Sequence, residues 1–219
     1  MVALYNSPVF EVQSIDVVGV ERLSEDEVRS AAALPEDSTL LRFPRADMIE
    51  RLVAHPWILE AHVSRDFPDG LRIRIEERKP AAQVDTGGAL FWLIDPEGVV
   101  LEQRAPETTS TIVVIRDIED FEPVAGSRSD SKTLANALAV LEGLSEELRM
   151  RTRAVSAQSV DLTTLITTDD VEILVGSAED IVKKDMVARR ILEEHAESAV
   201  FINVRTVDRP TWKGLDPGE

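Results

Sequence analysis

The stretch HPWILEAHVSRDFPDGLRIRIEERKP, residues 55–80, constrains the fold more than any other segment of the chain. Apolar side chains recur at every second position on both sides of Pro68-Asp69-Gly70: Ala61 and Val63 before it, Leu71, Ile73 and Ile75 after it, with Arg72, Arg74 and Glu76 between. Period-two alternation around such a tripeptide predicts a β-hairpin with one apolar and one charged face. A two-stranded ribbon cannot bury that apolar face alone, so flanking sequence has to cover it.

Upstream residues supply the cover. In residues 10–20, FEVQSIDVVGV, the positions Phe10, Val12, Ile15 and Val17 alternate with polar neighbours as in a strand, and Gly19 punctuates its end. Ser24 and Glu27 then form a capping box ahead of a short helix whose apolar face is Val28, Ala31 and Ala32, stopped by Pro35. A second helix starts at Pro44, carries Met48, Ile49, Leu52 and Val53, and ends at His55-Pro56. The order strand, helix, helix, strand, strand predicts two helices packed on a three-stranded sheet. Pro80 closes this unit, because it cannot donate to a central sheet ladder.

Beyond residue 80 the pattern changes. ALFWLIDPEGVVLEQ predicts a hairpin with strands near 89–94 and 98–102, and TIVVI a strand over 111–115. Leu134, Leu138, Leu141, Leu144 and Leu148 recur at helical spacing behind a cap at Ser129 or Asp130. Strands are expected at 153–159, 160–167 and 171–175, then a helix capped by Ser177 and running to about 195, with Ile181, Ala188, Ile191 and Leu192 on its buried side. AVFINVRTV, 199–207, reads as a final strand, after which DRPTWKGLDPGE trails away. A chain of 219 residues that is 43% hydrophobic suffices for two cores. The expected class is α+β: a β-α-α-β-β unit over 10–80, then a mixed β-sheet domain with covering helices over 81–207, with a stub at 1–9 and a tail at 208–219.

The residues give no support to catalysis. His55, His62 and His195 lie on separate elements, none with a second His at metal-ligand spacing, and no phosphate loop, GxSxG elbow or HExxH motif occurs. Asp169-Asp170 sits on an expected turn between strands, where solvation explains an acidic pair, and Asp95 flanks a hairpin turn, where Asp supports local backbone hydrogen bonds. Absence of cysteine excludes disulfides and thiolate metal sites. A formal charge of −17 repels nucleic-acid phosphates and anionic lipid headgroups, so nucleic acid is not an expected partner; with no catalytic or phosphate-binding motif, no small-molecule substrate or cofactor is expected either. No window approaches the 18 apolar residues of a membrane-spanning helix, though the opening MVALYNSPVF places a short apolar run before Asn6-Ser7-Pro8. That run is read either as a frayed terminus or as the stump of something longer.

Two features point towards protein contacts instead. Trp57 and Trp92 lie in apolar surroundings and read as core, but Trp212 lies in a polar, Pro- and Gly-containing segment, where it either docks back on its own domain or meets a partner. The last strand could lie at a sheet edge, where a partner completes the ladder with a strand of its own, or inside the sheet. Arg205 would blunt such an edge against indiscriminate pairing.

HPWILEAHVSRDFPDGLRIRIEERKPAAQV closely resembles the segment that closes the POTRA domain of the bacterial division proteins of the FtsQ family, called DivIB in Gram-positive bacteria. NSPVFEVQSIDVVGVERLSEDEV resembles the start of the same domain, LIDPEGVVL the opening of the family's second, β domain, and FINVRTV its final strand. The resemblance spans nearly the whole chain and is more specific in its first half. It implies a non-catalytic, single-pass membrane protein enriched at the septum, of which this is the extracytoplasmic region, with Met1 to Tyr5 near the end of the membrane helix. It also implies binding of the paired proteins FtsB, or DivIC, and FtsL through the last strands, which by position makes Phe201, Asn203, Arg205, Thr206, Val207 and Trp212 candidate partner contacts. Two departures stand out: Thr206 replaces a frequent aromatic, and Asp208-Arg209-Pro210 replaces a Gly-containing turn, so Pro210 shortens or shifts any added strand. The alternative is a polypeptide-handling POTRA module of a transport machine, for which neither tandem repeats nor a following barrel are visible.

Overall fold

The computed structural model describes residues 11–36, 38–105, 112–195 and 198–214. The stub at 1–9, Phe10 and the end of the tail at 215–219 lie outside the described residues. The chain divides between Lys79 and Pro80 into two compact units.

In the first unit, β2 (Ile58–Asp66) and β3 (Gly70–Glu77) form the expected antiparallel hairpin, with Ala61 opposite Ile75 and Val63 opposite Ile73. The third strand, β1 (Ser14–Val18), runs parallel to β3, giving the order β1-β3-β2. Helices α1 (Glu25–Ala32) and α2 (Arg45–Val53) bury Val28, Ala32, Met48 and Leu52 against Val63, Leu71 and Ile73. The capping box is present, and hydrogen bonds from the Ser24 backbone and hydroxyl hold the Glu27 carboxyl below its usual range. Val53 departs from the expected apolar face and is exposed, because it lies about 100° around the helix from Leu52.

Glu77, which in sequence is one of a run of charges ahead of Pro80, ties this unit together. Its carboxylate accepts hydrogen bonds from the backbone N–H groups of Glu21, Arg22 and Leu23 at 3.0, 2.9 and 2.9 Å. Three successive N–H groups converging on one anion form a nest, and the bonds are strengthened by the charge. Glu77→Ala is expected to lower the stability of this unit by about 1.5 kcal/mol, read as a lower denaturation midpoint.

The second unit is built on a nine-stranded mixed sheet, ordered β12-β11-β10-β9-β8-β7-β4-β5-β6. In chain order the strands are β4 (Ala82–Val84), β5 (Phe91–Ile94), β6 (Val100–Arg104), β7 (Val113–Arg116), β8 (Thr152–Ala157), β9 (Thr163–Thr167), β10 (Glu172–Leu174), β11 (Ala199–Asn203) and β12 (Thr211–Gly214). Parallel neighbours need crossovers; the β5–β6 hairpin lies between β4 and β7, and helices supply the other two. Between β7 and β8 lie α3 (Lys132–Gly143) and α4 (Glu146–Arg151), and between β10 and β11 lies α5 (Ile181–Glu194). Leu134, Leu138 and Leu141 of α3 and Ile181, Ala188, Ile191 and Leu192 of α5 pack on Ile115, Val155, Leu165, Ile173 and Ile202 of the sheet.

Several elements differ from the sequence reading. The leucine run is two helices, because Leu144 is extended and Ser145 starts a new one, accepting from Leu148 N–H and donating to the buried Asp185 at 2.9 Å. Helix α3 is capped by Ser131 rather than by Ser129 or Asp130, and α5 follows Asp180, in the left-handed region, rather than Ser177. The three-residue strand β4 was not legible at all. The final strand ends at Asn203, not at 207, and part of the expected tail is a strand: Thr211–Gly214 pairs antiparallel with β11.

Candidate functional site

Strand β11 has neighbours on both sides, β10 parallel and β12 antiparallel, so its backbone hydrogen-bonding groups are committed within the sheet. The edge is therefore β12. Among the described residues β12 pairs only with β11, which leaves every second residue of its backbone directed outward. At the opposite edge, Val100 of β6 is covered: its N–H donates to the Ser127 carbonyl at 3.0 Å and its carbonyl accepts from Gly126 N–H at 2.8 Å.

The candidate contact residues fall in three places. Phe201 and Asn203 lie in β11 and are half-buried; Phe201 stands opposite Lys213 and Asn203 opposite Thr211, so these four share one face of the sheet. Arg205, Thr206 and Val207 lie in the turn to β12. Asn203 Oδ1 accepts from Arg205 N–H at 3.1 Å, and the Thr206 carbonyl accepts from Arg209 N–H at 3.1 Å. The aliphatic stem of Arg205 lies against Gly176, whose missing side chain leaves the room: a Cβ there would stand 3.0 Å from Arg205 Cγ. Trp212 lies on β12 itself, opposite the fully buried Ile202 and so on the helix-covered face.

Trp212 docks back on its own domain while staying 41% exposed. Its indole stacks on the ring of His195, at the C-cap of α5, with centroids 3.9 Å apart and planes inclined by 22°. Stacking fixes a large aromatic at low entropic cost, which suits it to receive further apolar contact. The role of His195 was missed from sequence. Seventeen positions separate the two rings, and only the return of the chain along β11 brings them together.

The other tryptophans are core residues. Trp57 is buried, with the Arg22 guanidinium 4.0 Å above its ring centroid, and Trp92 packs half-buried against the sheet core. Asp169 and Asp170 are held by Arg151 at 3.2 Å and by Arg153, so the acidic pair is an ion-paired turn. A cleft of about 530 Å³ beside Asp120 and Ser131 contains a hydroxyl-carboxylate contact of 2.7 Å, but the Ser131 oxygen is occupied as the cap of α3. Among the described residues no cluster of three or more His, Cys, Asp or Glu could hold a metal ion, and no helix is long and apolar enough to cross a membrane.

Two family models match the chain: "POTRA domain, FtsQ-type" over residues 10–78 and "Cell division protein FtsQ/DivIB, C-terminal" over residues 82–209. Similar proteins named "Cell division protein FtsQ" include one from Anaeromyxobacter sp. (strain K), 29% identical over 214 residues that make up 95% of this chain and 72% of that protein. One from Streptomyces griseus is 30% identical over 195 residues, 87% of this chain and 91% of that protein. One from Streptomyces bingchenggensis is 30% identical over 177 residues, 80% of this chain and 66% of that protein.

Proposed function

The chain belongs to the FtsQ/DivIB family of cell division proteins, and from that premise we propose a non-catalytic divisome scaffold that binds an FtsB/DivIC-like protein, paired with an FtsL-like protein, along the edge of β12. The observation that carries this reading is the open edge of β12 with Trp212 held half-exposed upon it. A partner segment that adopts a strand there gains main-chain hydrogen bonds along the edge, while side-chain contacts set its identity. Trp212 is the anchor of this interface; Phe201 and Asn203 contribute through side chains on the other face, and Arg205, Thr206 and Val207 border it at the turn. A membrane helix preceding residue 10 holds this region on the extracytoplasmic side, at the septum.

The test is calorimetric binding of the chain to a peptide from the membrane-distal end of its own organism's FtsB or DivIC. Trp212→Ala is expected to weaken binding by about tenfold and His195→Ala by about threefold, with the circular dichroism of both variants unchanged. Binding that survives intact in both, and in Arg205→Glu, places the interface away from β12.

A further inference from the structure

Three segments of the first unit meet at the end where the chain enters it. Residues 11–14 arrive there: Val12 N–H donates to the Ser38 carbonyl at 3.3 Å, Gln13 N–H to the Asp69 carbonyl at 2.8 Å, and Ser14 pairs with Gly70. The loop 38–44 and the tip of the β2–β3 hairpin are joined in turn by Arg65, whose Nε donates to the Leu40 carbonyl and whose guanidinium lies 5.4 Å from the Phe43 ring centroid. Because β1 and β3 run parallel, the chain enters beside the hairpin tip and leaves at the other end of β3.

This end also presents apolar and basic side chains to solvent. Phe67, at the hairpin tip, is 64% exposed; apart from Val53, it is the only large apolar side chain among the described residues of this unit to stand so open. Arg42 and Arg65, on the two segments that Arg65 joins, are exposed, and Arg42 has no carboxylate partner among the described residues. Of the nearby acids, Asp66 shares Arg72 with Asp16, at 3.1 and 2.8 Å, Asp69 is half-buried, and Glu11, bridged to Thr39, is exposed. The charge of −17 that would repel a lipid surface lies mostly elsewhere on the chain, and at physiological salt it is screened beyond about 8 Å.

We propose that this end is a lipid-contacting face, with Phe67 seated in the interfacial layer of a phospholipid bilayer and Arg42 and Arg65 on headgroup phosphates. The inference rests on the reading that a membrane helix precedes residue 10. On that reading only residues 6–10 separate this face from the bilayer, and five extended residues span at most about 18 Å. One phenylalanine and two arginines bind a bilayer weakly in free solution, but tethering raises their effective concentration into the millimolar range. The consequence is mechanical: the unit is held at a defined tilt instead of swinging freely on its tether.

The test uses Phe67→Trp as a reporter, with the emission of the unsubstituted chain subtracted. The protein is attached through a polyhistidine tag to vesicles containing nickel-chelating lipid and nitroxide-labelled phospholipid. Attachment at the N-terminus is expected to quench the indole at position 67 at least about twofold, attachment at the C-terminus not to, and adding Arg42→Glu and Arg65→Glu to abolish the quenching on anionic vesicles. No quenching with the N-terminal tether, or equal quenching with both tethers, overturns the proposal and points to a protein partner at the tip or to non-specific adsorption. Fractionation of the full-length protein in its own cells separates the two failures. Protein absent from membranes removes the anchor on which the inference rests, whereas membrane-bound protein with an unquenched reporter removes the lipid face alone.

Discussion

Gly19→Ala is expected to destabilise the first unit by about 3–5 kcal/mol, followed as loss of its cooperative denaturation transition in the emission of the buried Trp57. Gly19 has φ +90, outside the ordinary range of L-residues, and a Cβ built there would stand 2.1 Å from the carbonyl oxygen of Ile75. That oxygen belongs to the backbone of β3, the central strand of its sheet, hydrogen-bonded on both sides. No side chain can rotate out of the way, so either the turn after β1 or the central strand has to shift. The same turn leads into the nest that holds Glu77, so its displacement also costs those three hydrogen bonds. Gly87 is the control. Its φ is +81 with nothing within 4 Å of the built Cβ, and Gly87→Ala is expected to cost only about 1 kcal/mol, from backbone conformation alone. Equal losses at the two positions would show that the close approach to β3 does not matter.

Asn136→Ala is expected to cost the second unit about 2–3 kcal/mol and to loosen the turn that leads into β12. The Asn136 amide, on α3, reaches two segments distant in sequence, the start of β9 and the loop after β10. Its Nδ2 donates to Thr163 Oγ1 at 2.9 Å and to the Gly176 carbonyl at 3.2 Å, and its Oδ1 accepts from Ala178 N–H at 2.8 Å. Truncation leaves all three partners without it. Gly176 is also the surface on which the Arg205 stem rests, so the loosening passes from α3 through the loop after β10 to the β11–β12 turn. Amide hydrogen exchange should accelerate over 174–178 and 203–209, and affinity for a strand-forming partner peptide should fall with it. A stability loss with unchanged exchange over 203–209 would confine the role of Asn136 to the core. Thr163→Val, which removes one of the three contacts, is expected to show a smaller loss.

What could be read in advance was whatever the chain encodes locally. The hairpin at 58–77 follows from alternation and a turn tripeptide, α1 from a capping box within four residues, and the faces of α1 and α2 from helical spacing, missing only at Val53. The Asp95 turn behaves likewise, its carboxylate accepting from Glu97 and Val99 N–H at 2.9 and 2.8 Å. Interactions across long sequence separations were not legible. The leucines from 134 to 148 read as one helix because their regular spacing runs on past Gly143 and Ser145, local stop and start signals that it outweighs; the buried Asp185, forty positions on, accepts from Ser145 N–H and Oγ. Glu77 read as surface charge, although its partners lie at 21–23.

For the candidate site the division is sharpest. Alternation, helical spacing and the quoted motifs were enough for the two units, their class and the family, and they marked Trp212 as an aromatic with two possible fates. Whether the last strand lies inside the sheet or at its edge followed from the strand pairing alone. Thr211–Gly214 is too short, and too interrupted by Pro210 and Gly214, to show a period of its own; it becomes a strand because β11, paired with β10 on one side, offers unsatisfied backbone groups on the other. That pairing turns β11 into an interior strand, places Trp212 across from Ile202 and against His195, and carries the open edge to residues that the sequence alone presented as a tail.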